Sequence, residues 1–253
     1  MFRIIALRIF FAAFFLPLQS CNLSDSVEQP QSSDLKLLNT YDLSIPEPSG
    51  LSLNADRSAL WTVSDNTNRI YSVSLEGELI DELRYEGNDL EGIVFDSLRN
   101  CLWLAEEQLR EVVQVDLNGK ELIRYSINLP GSGNSGLEGI CMDDLHSFYL
   151  LNEKNPRLWA KLNNDFSTSL QKSIDDVDDL SGITYDANRN MFWIVSDQSQ
   201  LLFLWDPVQG MFVSYDLPFE KAEGVAYDPD LNRMYIVSDK TAKLYVYDLP
   251  KNN

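Results

Sequence analysis

Carboxylates recur in this chain at fixed distances from a short glycine motif. Three copies read Glu91-Gly92-Ile93, Glu138-Gly139-Ile140 and Glu223-Gly224-Val225, and two carry serine instead, Ser49-Gly50-Leu51 and Ser181-Gly182-Ile183. An acid follows each glycine by 14 or 15 residues: Asp65, Glu107, Glu153, Asp197 and Asp239. Glu47, Asp89 and Asp179 stand two residues before the motif. Oxygen donors without accompanying histidine or cysteine suit a hard cation, Ca2+ first and Mg2+ second. A spare carboxylate among them could serve as a general base. The alternative is that these acids only accept hydrogen bonds from neighbouring turns. Other chemistry finds little support. His146 is the single histidine, which leaves no nucleophile–base pair of the Ser-His-Asp kind. The glycine-rich stretch Pro130–Gly136 lacks the Lys-Ser/Thr of a phosphate loop. The Asp175–Asp179 run lacks EF-hand spacing and its bidentate glutamate.

The elements that position these residues are set by an internal repeat. The five glycines lie 42, 47, 43 and 42 residues apart. Four residues after each comes a turn former: Asn54, Asp96, Asp143, Asp186 and Asp228. Ten or eleven after each comes an aromatic: Trp61, Trp103, Tyr149, Trp193 and Tyr235. Between these marks run short segments rich in Val, Ile, Tyr and Trp, with turn residues between them and no 3.6-residue periodicity. In the fourth repeat they predict strands at 182–185, 191–196, 201–205 and 211–217. Four strands per repeat of this length is the unit of a β-propeller. The expected fold is therefore all-β, a five-bladed β-propeller over residues 36–253, with the repeated aromatics filling the wedges between blades. The fifth repeat supplies three strands and then the chain ends. The segment 36–45 ends Ser44-Ile45-Pro46, as complete fourth strands end Leu129-Pro130 and Leu217-Pro218. It is expected to complete the last blade and pair its open edge.

In such a blade the first strand lines the channel and the second returns beside it. The glycine motifs and the acids after each second strand then meet at one mouth. Glu91, Glu138 and Glu223, with Ser49 and Ser181, should ring it, with Asp65, Glu107, Glu153, Asp197 and Asp239 behind. Crowded like charges are tolerable if they protonate, stay wet or hold a cation. Glycine at the inner strand permits close backbone approach. His146 should sit in a turn at the opposite face, and the 130–136 insertion at the acidic mouth as a loop or lid.

Outside the repeats the chain carries targeting signals. Arg3 and Arg8 flank an apolar run from Ile9 to Leu18, too short to span a membrane and typical of a secretory signal. The run ends Leu18-Gln19-Ser20-Cys21, which resembles a bacterial lipobox. Residues 1–20 are thus expected to be a lipoprotein signal peptide, with Cys21 lipidated and residues 21–35 a flexible tether to the cell envelope. Cys101 and Cys141 are read as small buried apolar residues rather than a disulfide. The formal charge of −19 disfavours nucleic acid as a partner. It suits cation binding or a soluble acidic surface.

The series Leu90-Glu91-Gly92-Ile93, Leu137-Glu138-Gly139-Ile140 and Leu180-Ser181-Gly182-Ile183, each followed by an aromatic strand that ends in an acid, resembles the SdiA-regulated family. The resemblance spans about residues 36–250. It implies a five-bladed propeller related to NHL-type and phytase-like propellers, associated with bound calcium, here at Glu91, Glu138 and Glu223. Serine at 49 and 181 departs from a fully symmetric site. Two functions are expected to compete. One is a membrane-tethered, calcium-binding monomer that recognises a small-molecule or protein ligand at the acidic mouth. The other is a metal-dependent hydrolase acting on a phosphoester or lactone.

Overall fold

The computed structural model describes residues 35–131 and 135–250, so the signal segment 1–20, Cys21 and nearly all of the tether lie outside the described residues. Twenty strands and no helix occur among the described residues. They form five four-stranded antiparallel sheets. Blade 1 is β2 (Pro48–Leu53), β3 (Ala59–Ser64), β4 (Arg69–Ser74) and β5 (Leu79–Glu86). Blade 2 is β6 (Leu90–Asp96), β7 (Cys101–Glu106), β8 (Glu111–Asp116) and β9 (Glu121–Ser126). Blade 3 is β10 (Leu137–Met142), β11 (Phe148–Asn152), β12 (Leu158–Leu162) and β13 (Thr168–Ser173). Blade 4 is β14 (Ile183–Asp186), β15 (Met191–Ser196), β16 (Leu201–Asp206) and β17 (Gly210–Asp216). Blade 5 joins β18 (Ala222–Asp228), β19 (Arg233–Ser238) and β20 (Lys243–Asp248) to β1 (Lys36–Asp42).

The expected ring closure is present. β1 pairs antiparallel with β20, from Lys36 opposite Asp248 to Asp42 opposite Lys243. The strand stops at Asp42, short of the expected Ile45, although the Leu43 amide still donates to the Ala242 carbonyl at 2.8 Å. Leu43 and Ile45 then turn into the core. In blade 4 the inner strand begins at Ile183, one residue later than the sequence suggests, while Ser181 and Gly182 keep backbone bonds to Val195.

The inner strands β2, β6, β10, β14 and β18 contact one another in a closed circle. The core lies between blades, not within them: five apolar clusters fill the five wedges. Trp61, Trp103, Tyr149, Trp193 and Tyr235 each enter a different cluster, all buried, as their repeat positions predict. Cys101 and Cys141 are buried free thiols in two different wedges. The turn formers also anchor the aromatics. Asp186 accepts hydrogen bonds from the Asn188 and Arg189 amides, the Arg189 guanidinium and the Trp193 indole at 3.1 Å. Asp96 does the same for Leu98, Arg99 and Trp103. A buried carboxylate needs these partners, and each turn supplies them locally.

Candidate functional site

Every inner strand but β14 carries a register shift at its glycine motif: between Ser49 and Leu51, Leu90 and Gly92, Leu137 and Ile140, and Ala222 and Gly224. A bulge re-aims one side chain out of the alternating pattern. Here the re-aimed residue is the Ser or Glu, which turns toward the channel, while the glycine packs on the next blade. A Cβ built on Gly92 would lie 2.7 Å from the Glu138 carbonyl, and one on Gly50 would lie 2.5 Å from the Glu91 carbonyl. The glycines thus make room for the neighbouring backbone, which is a stricter reason than keeping the axis wide.

The result is a cavity of about 90 Å3 lined from all five blades. Ser49, Glu91, Glu138, Ser181 and Glu223 form its ring, as anticipated. Asp65, Glu153 and Asp239 line it from behind, together with Glu47, Asp179 and Lys221, whereas Glu107 and Asp197, expected beside them, do not line it. Each loop is pinned to the turn after the second strand of its own blade. The amides of Asp65, Glu107, Glu153 and Asp239 donate to the carbonyls of Glu47, Asp89, Gly136 and Lys221. Buried Ser64 and Ser238 fix the same loops through the Pro46 and Glu220 carbonyls, and Ser196 does so through the Asp179 carboxylate.

The charge around the ring is lopsided. On blades 2 and 3, carboxylate oxygens of Asp89, Glu91 and Glu107 approach within 4.8 Å of one another, and so do those of Glu107, Glu138 and Glu153. Glu107 belongs to both sets. Its Oε1 also accepts the Gly136 amide at 2.9 Å. On blades 4 and 5 the acids other than Asp239 already have partners. Lys221 Nζ sits 3.3 Å from both Asp197 and Glu223, and Asp179 accepts from Ser196 and the Gln198 amide. Lys154 reaches in from the rim to Glu153. Lys221 was missed by attention to acids alone. The signal was there: it occupies the position, two before the motif, where other repeats carry Glu47, Asp89 and Asp179. Gly131 and Gly136 flank the insertion at this mouth, but residues 132–134 lie outside the described residues.

Protonation follows the crowding. Burial, then the hydrogen-bonded Glu47 and the charges of Asp239 and Asp89, push Asp65 up to about 7. Burial, with Asp89 and Glu153 beside it, pushes Glu107 up to about 7 against the opposing Gly136 amide. Glu223 also rises to about 7 through burial, although Lys221 opposes the shift. Glu91 and Glu138 are raised well above the usual carboxylate range, chiefly by burial and then by the other ring acids, with the Ser49 hydroxyl at 2.6 Å opposing the shift at Glu91. Burial lowers the Lys221 ammonium, but Glu223 and Asp197 outweigh it and the group is held above its usual range. Asp65 Oδ1 is buried without a hydrogen-bond partner. His146, at the opposite face as expected, takes no part in this mouth; its Nδ1 lies 3.7 Å from Asp96.

The sequence matches the SdiA-regulated family over residues 41–248, from β1 through β20. The chain belongs to that family. Among solved structures it is similar to a gluconolactonase from Xanthomonas campestris, with a TM-score of 0.58 and 12% identity over 87% of this chain and 96% of that one. A luciferin-regenerating enzyme gives a TM-score of 0.56 and 11% identity over 83% and 94%. A streptogramin B lyase gives 0.50 and 19% over 87% and 75%. At these identities the likeness is one of fold.

Proposed function

We propose that this family member is a cation-binding recognition propeller, tethered to the cell envelope, whose acidic mouth takes Ca2+, with Mg2+ as the second choice. The observation that carries the reading is the pair of carboxylate sets on blades 2 and 3 that share Glu107. The donor set fits the ion. It is all oxygen, the lysines of the mouth lie against Glu153, Asp197 and Glu223 instead, and the Arg110 guanidinium near Glu107 bonds the Leu129 carbonyl and Asn152 Oδ1; on blade 1, Asp65 Oδ1 is buried and unpartnered. A cation there would replace protons that crowding now forces onto the acids. Asp89, Glu91, Glu107 and Glu138 would hold it, while Glu153 is engaged with Lys154 and Glu223 with Lys221.

The size of the mouth favours binding over catalysis. About 90 Å3 holds an ion and a small group of a ligand, not a whole small molecule, whose pockets run to about 300–1,000 Å3. A ligand would therefore sit on the rim and present one oxygen-rich group inward. The tether, with Cys21 lipidated, would keep this mouth at a membrane surface. The second reading is a metal-dependent hydrolase of the lactonase or phosphoesterase type. Asp197 and Glu153, outside that ligand set and each with a lysine beside it, favour it by offering a base.

Calcium titration by calorimetry on residues 35–253 tests the site. Micromolar or millimolar binding should weaken at least tenfold in Glu107→Gln, less in Glu91→Gln or Glu138→Gln, and least in Glu223→Gln. No calcium uptake, or equal binding in all four variants, overturns the assignment. Turnover of a lactone or phosphoester in a substrate panel, dependent on Ca2+ and on Glu107, would move the conclusion to the hydrolase.

A further inference from the structure

The face opposite the acidic mouth carries the three most exposed large apolar side chains among the described residues, Val208, Leu145 and Leu98. In each blade the second strand begins at this face and the fourth strand rises from it, so the turns between first and second and between third and fourth strands form its surface. Leu98, Leu145 and Leu231 project from three turns of the first kind and are 69%, 86% and 48% exposed. Val208, 88% exposed, projects from the third-to-fourth turn of blade 4. Ile80 and Leu122 stand at the starts of β5 and β9, on the same side. The other exposed apolar side chains among the described residues lie along the outer strands, Ile123, Leu170 and Phe212 each three residues in, with Leu109 on the mouth face. Single exposed leucines are ordinary, but three of the most exposed apolar side chains sharing one face is not.

The same face receives the chain. Lys36 opens β1 opposite Asp248, and Asp248 also pairs with Arg233 at the start of β19, which fixes that end of blade 5 on the face opposite the mouth. The described chain therefore begins at this face, fourteen residues after Cys21.

We infer that this face is the surface the propeller lays against a lipid bilayer, with Leu98, Leu145, Val208 and Leu231 entering the interface and the acidic mouth turned away. The inference rests on the lipid-tether reading for how the protein reaches the membrane. The contact is apolar rather than an attraction to anionic lipid, because the arginines of this face are paired within the chain and exposed Asp56, Asp144, Asp165 and Asp230 share its turns. Arg99 and Arg189 bond Asp96 and Asp186 at 2.7 and 2.6 Å, and Arg57 engages Asp230. It follows that salt does not release this face from the bilayer, whereas it would release a basic patch.

An environment-sensitive fluorophore on single cysteines tests it in the full-length lipidated chain, in vesicles of phosphatidylethanolamine and phosphatidylglycerol. Labels go on Leu145→Cys, Val208→Cys and, as the mouth-face control, Leu109→Cys; Cys101 and Cys141 are buried. The expected result is a blue shift and loss of emission to lipid-borne quenchers at 145 and 208, unchanged in 1 M salt, with neither effect at 109. A chain that sediments with the vesicles but leaves all three labels equally wet overturns the inference while leaving the tether intact. A chain that stays in the supernatant overturns both.

Discussion

The same five inner strands build both ends of the channel, yet the two ends have opposite chemistry. At the end where β2, β6, β10, β14 and β18 begin, bulged Ser and Glu residues meet in a cavity of about 90 Å3 with carboxylates on every side. Three residues beyond each glycine the strands present Leu53, Phe95, Met142, Tyr185 and Tyr227 to a wider cavity of about 240 Å3. One end is strained by unpaired like charge. At the other end, Asp96 and Asp186 beside that cavity are saturated by arginine, indole and backbone donors. The lesson is that the repeat fixes a backbone, and that one bulge and one position per blade then decide what each end can do. The strained end is where a ligand has most to offer.

The largest expected effect removes both ends at once. Deleting residues 22–45 strips β1 from β20 and uncovers the blade 5 edge, so the protein should lose its cooperative melt or aggregate. Deleting residues 22–34, which stops before Leu35 packs on the blade 4–5 wedge, should leave the melt unchanged. Circular dichroism melts of the two chains decide this, and equal melting would remove β1 from the ring.

Next in size is the seam between the two ends. Gly92→Ala pushes a Cβ against the backbone of Glu138 and Ile140, which cannot retreat without opening the ring. A loss of about 2–3 kcal/mol is expected by urea denaturation, from overpacking. A neutral outcome would mean that the blades slide past each other freely, and the two ends could then not be treated as rigidly coupled.

The two ends should also answer pH in opposite directions. At the mouth, Asp65, Glu107 and Glu223 titrate near 7 when folded and near 4 when unfolded, so the folded state binds more protons between those values. Their contribution is fully present below about pH 4 and is lost as pH rises through about 7. Without added metal the protein should be less stable at pH 8 than at pH 5, by on the order of 1–2 kcal/mol. Calcium should offset that loss, and Glu107→Gln should flatten the profile. At the other end Asp96 is held below its usual value by Arg99, Trp103 and turn amides that overcome its burial. Its contribution is present above about pH 4 and is lost below it, so Asp96→Asn should lower stability at neutral pH and flatten the acid limb. Thermal melts across pH 3–9 would show whether the limbs separate in this way.

The smallest effect concerns an exposed residue that carries no structural weight. Leu145→Ser should leave stability within about 0.5 kcal/mol of the parent, since the side chain is 86% exposed. A larger loss would assign Leu145 to the fold and weaken the contrast between an outer apolar surface and an inner acidic one.

Much of this was legible in the residues. The 42-residue spacing of glycines, the aromatic eleven residues on and the incomplete fifth repeat specify five blades and an N-terminal closing strand, because a four-stranded wedge needs the same packing residues each time. The placement of Glu91, Glu138 and Glu223 in one ring follows from the same register. Spacing alone could not say which acids are neighbours across blades and which are already satisfied. Glu107 joins two acidic sets because blades 2 and 3 bring Asp89 and Glu153 to it from either side, and Glu223 is partly neutralised because Lys221 folds back over it. The repeat determined the backbone and the roster of carboxylates at the mouth, since both are periodic along the chain. Their pairing, their protonation and the placing of Leu98, Leu145 and Val208 on one face were decided only in three dimensions. These depend on side chains from different blades meeting within a few ångströms, a distance that no sequence interval encodes.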